Sequence, residues 1–217
     1  RPHEVPVVQA ARLLGDRTIP PGTKIVTFVA RGLESMRGFD IFMRVADRIA
    51  RERSDVLFVV VGSEETYYGW DKLHTGQPSF KQWVLSQGNY DLSRFVFLNH
   101  VLPEHLADIL CLSDLHVYLT VPFVLSWSVL NAMACGRVVL ASDVPPVREF
   151  IQPGRNGLVE PLFDVDRLTD TALRVLADPA AVSPLGRAAR ELIETRFSLD
   201  VAVPELCRYF ERIAGCH

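Results

Sequence analysis

The chain has 217 residues, of which 48% are apolar and 23% charged, and a formal net charge of −3. These values are typical of a folded globular protein and exclude a disordered, collagenous or coiled-coil chain. Because 23 Lys and Arg stand against 26 Asp and Glu, the charge also argues against nucleic-acid binding. The length allows one large domain or two small ones.

The cysteines and the N-terminal residues give information on the cellular compartment of the protein. Cys111 and Cys135 lie in apolar surroundings, which predicts small buried side chains in a reducing compartment, and Cys-x-x-Cys zinc spacing is absent. No apolar stretch approaches the ~18 residues that a bilayer span needs. The start at Arg1 is no signal peptide, and without an initial Met we expect a processed product or a fragment.

Six short apolar runs predict the strands of a sheet. They are Lys24–Ala30, Asp55–Val61, Arg94–Leu98, Asp114–Thr120, Arg137–Ser142 and Gly157–Val159. Most are nearly continuous Val, Ile, Leu and Phe, which is typical of parallel strands covered on both faces.

Helical patterns separate these runs and follow the last one, over residues 38–52, 103–112, 126–135, 165–178, 182–196 and 199–214. The alternation predicts an α/β fold, a Rossmann-like doubly wound parallel sheet of about six strands with C-terminal helices. Residues 1–23 are expected to be an extended lead-in that turns at Pro20–Gly22. Ser63 to Pro78 is the longest irregular stretch, and a loop of that length is more often functional or mobile than structural.

The loop after the first predicted strand contains two arginines, Arg31 and Arg37, before Gly38 at the start of a helix. Two guanidinium groups beside a helix N-terminus suit a diphosphate. The alternative is that both arginines are solvated or pair with Glu34 and Asp40. The loop is neither a Gly-x-Gly-x-x-Gly fingerprint nor a Walker A loop, which argues against a dinucleotide site and an ATPase.

The loop after the fourth predicted strand leads into a helix near Ser126 and Trp127, whose first amides form a second candidate anion site. Ser126 is also a natural helix cap. Asn131, further along this helix, is either a ligand contact or a satisfied core amide. After the second strand, Gly62 either permits close approach to a ligand or ends the strand in a plain turn.

Two other kinds of site are excluded by spacing. The histidines do not cluster, so we predict no metal site. No Gly-x-Ser-x-Gly elbow occurs, which excludes an α/β-hydrolase.

Five motifs at the strand ends, taken in chain order, resemble the C-terminal, nucleotide-sugar-binding domain of retaining GT-B glycosyltransferases. That family is glycosyl transferases group 1, family 4-like, and the match is to a bacterial subgroup. The matching stretches are Ala30–Gly38, Val60–Gly62, Phe97–Asn99, Asn131–Gly136, and Pro146–Phe150 together with Gly154–Val159.

The resemblance implies a role for each candidate residue. Arg31 and Arg37 would hold the donor diphosphate and stabilise the leaving group. The phosphates and the sugar would be lined by the backbone at Gly62, Leu125, Ser126 and Trp127. The nucleobase would contact Asn99, His100 and Val101. The ribose would contact Asn131. The donor is a substrate, and neither a cofactor nor a metal is expected.

Two positions depart from the family pattern, which has glutamates where this chain has Phe123 and Asn131. Asn131 keeps a hydrogen-bond acceptor without the charge, whereas Phe123 cannot replace a carboxylate. The alternative reading is therefore a catalytically decayed domain kept for folding or partner assembly. A third reading, a nucleotide-sugar epimerase, would need catalytic carboxylates and histidines that we cannot place.

The resemblance also implies a second domain. Residues 1–23 would be an inter-domain linker and 24–217 the donor-binding domain, while the N-terminal acceptor domain is missing from the chain. The isolated domain is then expected to be inactive. The whole enzyme would transfer a hexose or deoxyhexose to a glycan or lipid-linked acceptor in the cytoplasm, with peripheral contact at the inner face of the membrane for lipid-linked acceptors.

Overall fold

The computed structural model describes residue 14 and residues 19–215. In that part, six parallel strands form one sheet in the order β3-β2-β1-β4-β5-β6. The strands are β1 (Lys24–Gly32), β2 (Val56–Ser63), β3 (Phe95–Leu98), β4 (Leu115–Tyr118), β5 (Val139–Ser142) and β6 (Leu158–Glu160). The predicted fold class, a Rossmann-like α/β sheet, is confirmed, and each predicted run overlaps one strand.

Helices cover both faces of the sheet. They are α1 (Phe39–Glu52), α2 (Asp71–Thr75), α3 (Phe80–Ser86), α4 (Pro103–Leu112), α5 (Trp127–Ala134), α6 (Pro145–Arg148), α7 (Val165–Ala177), α8 (Pro179–Arg196) and α9 (Leu199–Ala214). None of these described helices is long and apolar enough to cross a bilayer.

Two apolar cores hold the layers together. On one face, Phe28 of β1 packs against Phe42 of α1 with ring centroids 4.6 Å apart, and α7 closes the same core. On the other face, strand residues such as Val139 pack against Ile109 of α4 and Val129 of α5. Burial on both faces explains why the strand sequences are nearly continuously apolar.

Helix α8 begins at Pro179, three residues before the predicted start. The Asp178 carboxylate accepts from the Ala181 amide at 3.1 Å, and Pro179 occupies the first helical position, where no amide is needed. Pro184 lies inside the helix and cannot donate to the Ala180 carbonyl. The hydroxyl of Ser183 donates to that carbonyl instead, at 2.9 Å, so the helix continues.

The stretch from Ser63 to Pro78 is less irregular than predicted, because it contains α2. This helix ends after five residues at Gly76, whose φ of 63° is left-handed. The predicted turn at Pro20–Gly22 is confirmed by the bond from the Thr23 amide to the Pro20 carbonyl, 3.2 Å long. Within the predicted lead-in, residues 1–13 and 15–18 lie outside the described residues.

The strand order reverses between β1 and β4, the two central strands. In open α/β sheets, ligands bind at such a switch point, beyond the carboxyl ends of the strands. The segments that follow β1 and β4 therefore bound the crevice where a site is expected.

Candidate functional site

Arg37 connects the two central segments of the crevice. It lies in a 3-10 turn, Ser35–Arg37, directly after β1, and is only 6% exposed. Its Nη1 donates to the Val124 carbonyl at 3.1 Å and to the Thr120 hydroxyl at 3.4 Å, both in the segment after β4. The guanidinium is thereby fixed at the switch point of the sheet.

Aromatic rings surround the same guanidinium. The Cζ atom of Arg37 lies 5.1 Å from the Phe123 ring centroid and 5.3 Å from that of Tyr68, and the two rings are 5.0 Å apart. Among the described residues, no carboxylate forms an ion pair with Arg37 at 4.0 Å or less. A buried cation among rings and neutral oxygens favours binding of an anion.

Arg31, the second arginine, is exposed near the end of β1. Its Cζ lies 4.1 Å above the ring of Tyr67, which holds the guanidinium by a cation–π contact while its edge stays open to solvent. The alternative that these arginines pair with Asp40 is wrong, because Asp40 pairs with Arg44 at 3.1 Å. In the other part of that alternative, Arg31 is indeed exposed to solvent, and the charge of Arg37 acts on Glu34. Arg31 is thus open to a ligand at the surface, whereas Arg37 is buried and held by the segment after β4.

Glu34 lies between the two arginines in sequence and is fully buried. Its Oε2 accepts from the amides of Tyr67 and Tyr68, each at 2.9 Å. Burial raises the pKa of this carboxyl, while the two amides and the charge of Arg37 act in the opposite direction. Next to it, the Ser35 amide and hydroxyl both donate to the buried Asp71 carboxylate, at 2.9 and 2.5 Å.

The start of α5 is the second candidate anion site. The Ser126 hydroxyl caps the helix by accepting from the Ser128 amide at 3.3 Å, and the Ser126 amide itself donates to the Tyr118 hydroxyl at 2.9 Å. Leu125 is half-buried beside them, and Trp127 is 79% exposed. That the backbone of these residues contacts a donor stays a prediction.

Asn131 lies on the exposed side of α5, one turn after Trp127. The interpretation as a satisfied core amide is therefore wrong. An exposed amide on the same helix face as Trp127 is consistent with contact to a ligand in the crevice.

Gly62, at the end of β2, is required by the packing of the chain itself. A Cβ added there would lie 2.8 Å from the Ala30 carbonyl oxygen and 2.8 Å from a methyl carbon of Leu33. Close approach to a ligand at Gly62 stays a prediction.

The three residues expected at the nucleobase follow β3, two strands away from β1. Asn99 and His100 are exposed and Val101 is half-buried. They lie at the same carboxyl edge as Arg37, which is the arrangement that the resemblance implies, and their contact with a base is a prediction.

Sequence reasoning named Glu34 only as a possible ion-pair partner of the arginines, and it assigned no role to Tyr67, Tyr68, Tyr118 or Thr120. The one signal for the tyrosines was their place in the longest irregular stretch, Ser63 to Pro78. Nothing local shows that Glu34 is buried, because its partners lie 33 and 34 residues further on.

Other features of the described residues do not compete with this site. No group of three or more His, Cys, Asp or Glu side chains there could hold a metal ion. A cavity of about 460 Å³ lies at the opposite, amino edge of the sheet, where Asp55 and Arg94 line it. Cys111 and Cys135 are half-buried rather than fully buried, and burial raises the pKa of the Cys135 thiol to about 12.

The fold is an open α/β sheet with two arginines beside its topological switch point, the place where such sheets bind ligands. Residues 23–178 match the family model "Glycosyl transferases group 1". This chain belongs to that family, so the predicted membership is confirmed.

Individual relatives agree with the family. The chain is 25% identical over 189 residues to alpha-D-kanosaminyltransferase of Streptomyces kanamyceticus, covering 87% of this chain and 46% of that protein. The sucrose-phosphate synthase structure from Thermosynechococcus elongatus has a TM-score of 0.76 at 22% identity, covering 98% of this chain and 50% of the other. Anabaena Alr3699/HepE, solved with UDP and glucose, has a TM-score of 0.75 at 17% identity, with coverages of 94% and 51%.

Proposed function

We propose that the chain is the donor-binding half of a retaining glycosyltransferase whose substrate is a nucleotide-diphosphate sugar. The observation that carries the proposal is Arg37, a buried cation fixed at the switch point that forms no ion pair of 4.0 Å or less with a carboxylate of the described residues. Family membership supports sugar transfer, and the neighbouring Anabaena structure holds UDP and glucose.

The proposed mechanism is electrostatic. As the bond between sugar and diphosphate breaks, negative charge grows on the leaving oxygen. Arg37 is already oriented by Val124 and Thr120, and Arg31 by the Tyr67 ring, so neither has to reorganise to meet that charge. Two guanidinium groups would neutralise the diphosphate, so the proposal needs no metal ion.

A second domain is part of the proposal. The chain spans about half the length of the curated relatives it matches, 46% and 49% of the first two. Helix α9 has no buried residue in this structure. Its exposed apolar side chains recur every three or four residues, at Leu199, Val203, Leu206, Phe210 and Ile213. An acceptor-binding domain covering this stripe would complete the cleft.

The proposal extends to the reaction and its place in the cell. The isolated chain is inactive, and the whole enzyme transfers a hexose or deoxyhexose to a glycan or lipid-linked acceptor. The cytoplasm, including the inner face of its membrane for lipid-linked acceptors, suits the free thiols of Cys111, Cys135 and Cys207.

Titration calorimetry with UDP, GDP, ADP and dTDP tests the donor site. We expect one of these diphosphates to bind, and Arg31→Ala to weaken that binding about tenfold or more through loss of a charge-assisted contact. Arg44→Ala, on the exposed side of α1, is the matched control and retains wild-type affinity. Absence of binding to all four nucleotides, or binding that Arg31→Ala leaves unchanged, contradicts the proposal.

The decayed domain is the second candidate, and Asn131 is the more serious of the two departures from the family pattern, because the resembling bacterial subgroup commonly has an apolar residue at the position of Phe123. The Phe123 ring packs against Arg37 and Tyr68, in the place where the family has a carboxylate. Assay of the two-domain protein carrying Asn131→Glu separates the candidates. A gain of transferase activity indicates a decayed site, whereas a loss of activity indicates that Asn131 itself is functional in the wild-type site.

A further inference from the structure

Glu34 is the carboxylate that the proposed mechanism does not use. It is 0% exposed, and its Oε1 has no hydrogen-bond partner among the described residues. Burying a carboxylate with so few donors costs free energy that an apolar residue would avoid. Such a cost is tolerated where the group holds something that function needs.

The two amides that bind Glu34 belong to the two tyrosines in contact with the arginines. One is the backbone amide of Tyr67, whose ring centroid lies 4.1 Å from Cζ of Arg31. The other is the backbone amide of Tyr68, whose ring centroid lies 5.3 Å from Cζ of Arg37. One carboxylate oxygen therefore fixes the backbone on which both rings are mounted.

Neighbouring contacts hold the same segment against the first loop. The Glu65 carbonyl oxygen packs so closely on Gly32 that a Cβ there would lie 2.3 Å away. Asp71, at the far end of the segment, accepts two hydrogen bonds from Ser35. Residues 65–71 are thus anchored at three points, and Glu34 provides the middle one.

We propose that Glu34 is a positioning residue for the donor site: it fixes Tyr67 and Tyr68 so that Arg31 and Arg37 are held ready for a diphosphate. This inference rests on the proposed function. Glu34 is buried beneath the tyrosine segment and acts through the two rings without touching the donor.

A double-mutant cycle tests the inference, with calorimetry on the full chain and the diphosphate that binds best among UDP, GDP, ADP and dTDP. Glu34→Ala is expected to weaken binding about tenfold, the scale of a lost hydrogen bond to a charged group. In an Arg31→Ala background the same change should have a much smaller effect, since part of its action passes through Arg31. Glu34→Gln, which keeps an oxygen for the two amides, should restore most of the affinity.

Glu52→Gln, an exposed change at the far end of α1, is the control and leaves affinity unchanged. If Glu34→Ala does not fold, as judged by thermal unfolding, Tyr67→Ala takes its place in the cycle with the same expectation. The inference is overturned, and the proposed function is not, if Glu34→Ala binds the diphosphate with wild-type affinity. The same holds if the losses of binding free energy in Glu34→Ala and Arg31→Ala add up fully in the double variant. A wild-type chain that binds no diphosphate overturns the proposed function and this inference with it.

Discussion

At the scale of single residues, burial decides the charge state of one histidine. His116 lies inside β4 and is 0% exposed. Its Nδ1 shares a hydrogen bond with the Thr27 hydroxyl at 2.9 Å, and its Nε2 has no partner among the described residues. Burial lowers the pKa of His116 to about 3, so the ring is neutral and structural, whereas Arg31 stays at the surface where a ligand can reach it.

The lowered pKa of His116 predicts acid sensitivity. Between pH 6.5 and about 3, the unfolded chain binds a proton that the folded chain excludes, so stability falls as the pH falls. We expect His116 to account for about 2 kcal/mol of lost stability between pH 7 and pH 5.

Urea unfolding of the wild type and His116→Asn at both pH values measures that contribution. The variant should lose less stability on acidification than the wild type. Equal losses in the two proteins would show that the histidine is not held neutral.

At the scale of elements, Gly38 is the joint between the 3-10 turn that contains Arg37 and helix α1. Its φ is 64°, and a Cβ there would lie 2.7 Å from Cβ of Leu119. The joint therefore needs a residue that tolerates a left-handed backbone and leaves room for the chain after β4. Arg37 can lie next to that chain because Gly38 permits this close approach.

Gly38→Ala tests this joint against a matched control. Gly76 has nearly the same φ, 63°, but nothing lies within 4 Å of an added Cβ. Gly76→Ala should cost about 1 kcal/mol from backbone strain alone. Gly38→Ala should cost about 1–3 kcal/mol more through overpacking. Chemical denaturation of both variants gives the comparison, and equal costs would contradict the role assigned to Leu119.

At the scale of the whole molecule, α9 differs from the other long helices. Helices α1, α7 and α8 bury residues against the sheet or its helices, whereas α9 buries none. Its apolar stripe contributes little to the stability of this chain, because it is exposed in both the folded and the unfolded state. An exposed apolar stripe of this kind is typical of an interaction surface, in agreement with the second domain proposed above.

The double change Leu206→Asp/Phe210→Asp tests that expectation. In the present chain it should change the free energy of unfolding by no more than about 0.5 kcal/mol, as for other surface substitutions. In the proposed two-domain protein it should lower the thermal midpoint and the proposed transferase activity. Arg208→Asp, an exposed polar position on the same helix, is the control, and identical behaviour of the two variants in the two-domain protein would contradict a covered stripe.

Much of the architecture follows from local patterns. The continuous apolar runs predict parallel strands, and the strand ends predict where Arg31 and Arg37 lie. The errors also come from local contacts. A boundary set by the prolines predicts the start of α8 too late, whereas the Asp178 carboxylate caps the helix and the Ser183 hydroxyl donates to the carbonyl that Pro184 leaves free. Asn131 is exposed because the 3.6-residue period places it on the outer side of α5, beside Trp127.

The sequence by itself determined the class of fold, the family and the two arginines at one strand end. Strand and helix periodicity is written in neighbouring residues, and local patterns are enough to detect it. Only the tertiary structure decided that Glu34 holds Tyr67 and Tyr68, and that Arg37 reaches Val124. These partners are 33, 34 and 87 residues apart, and the crossover connections and packing of the sheet bring them together.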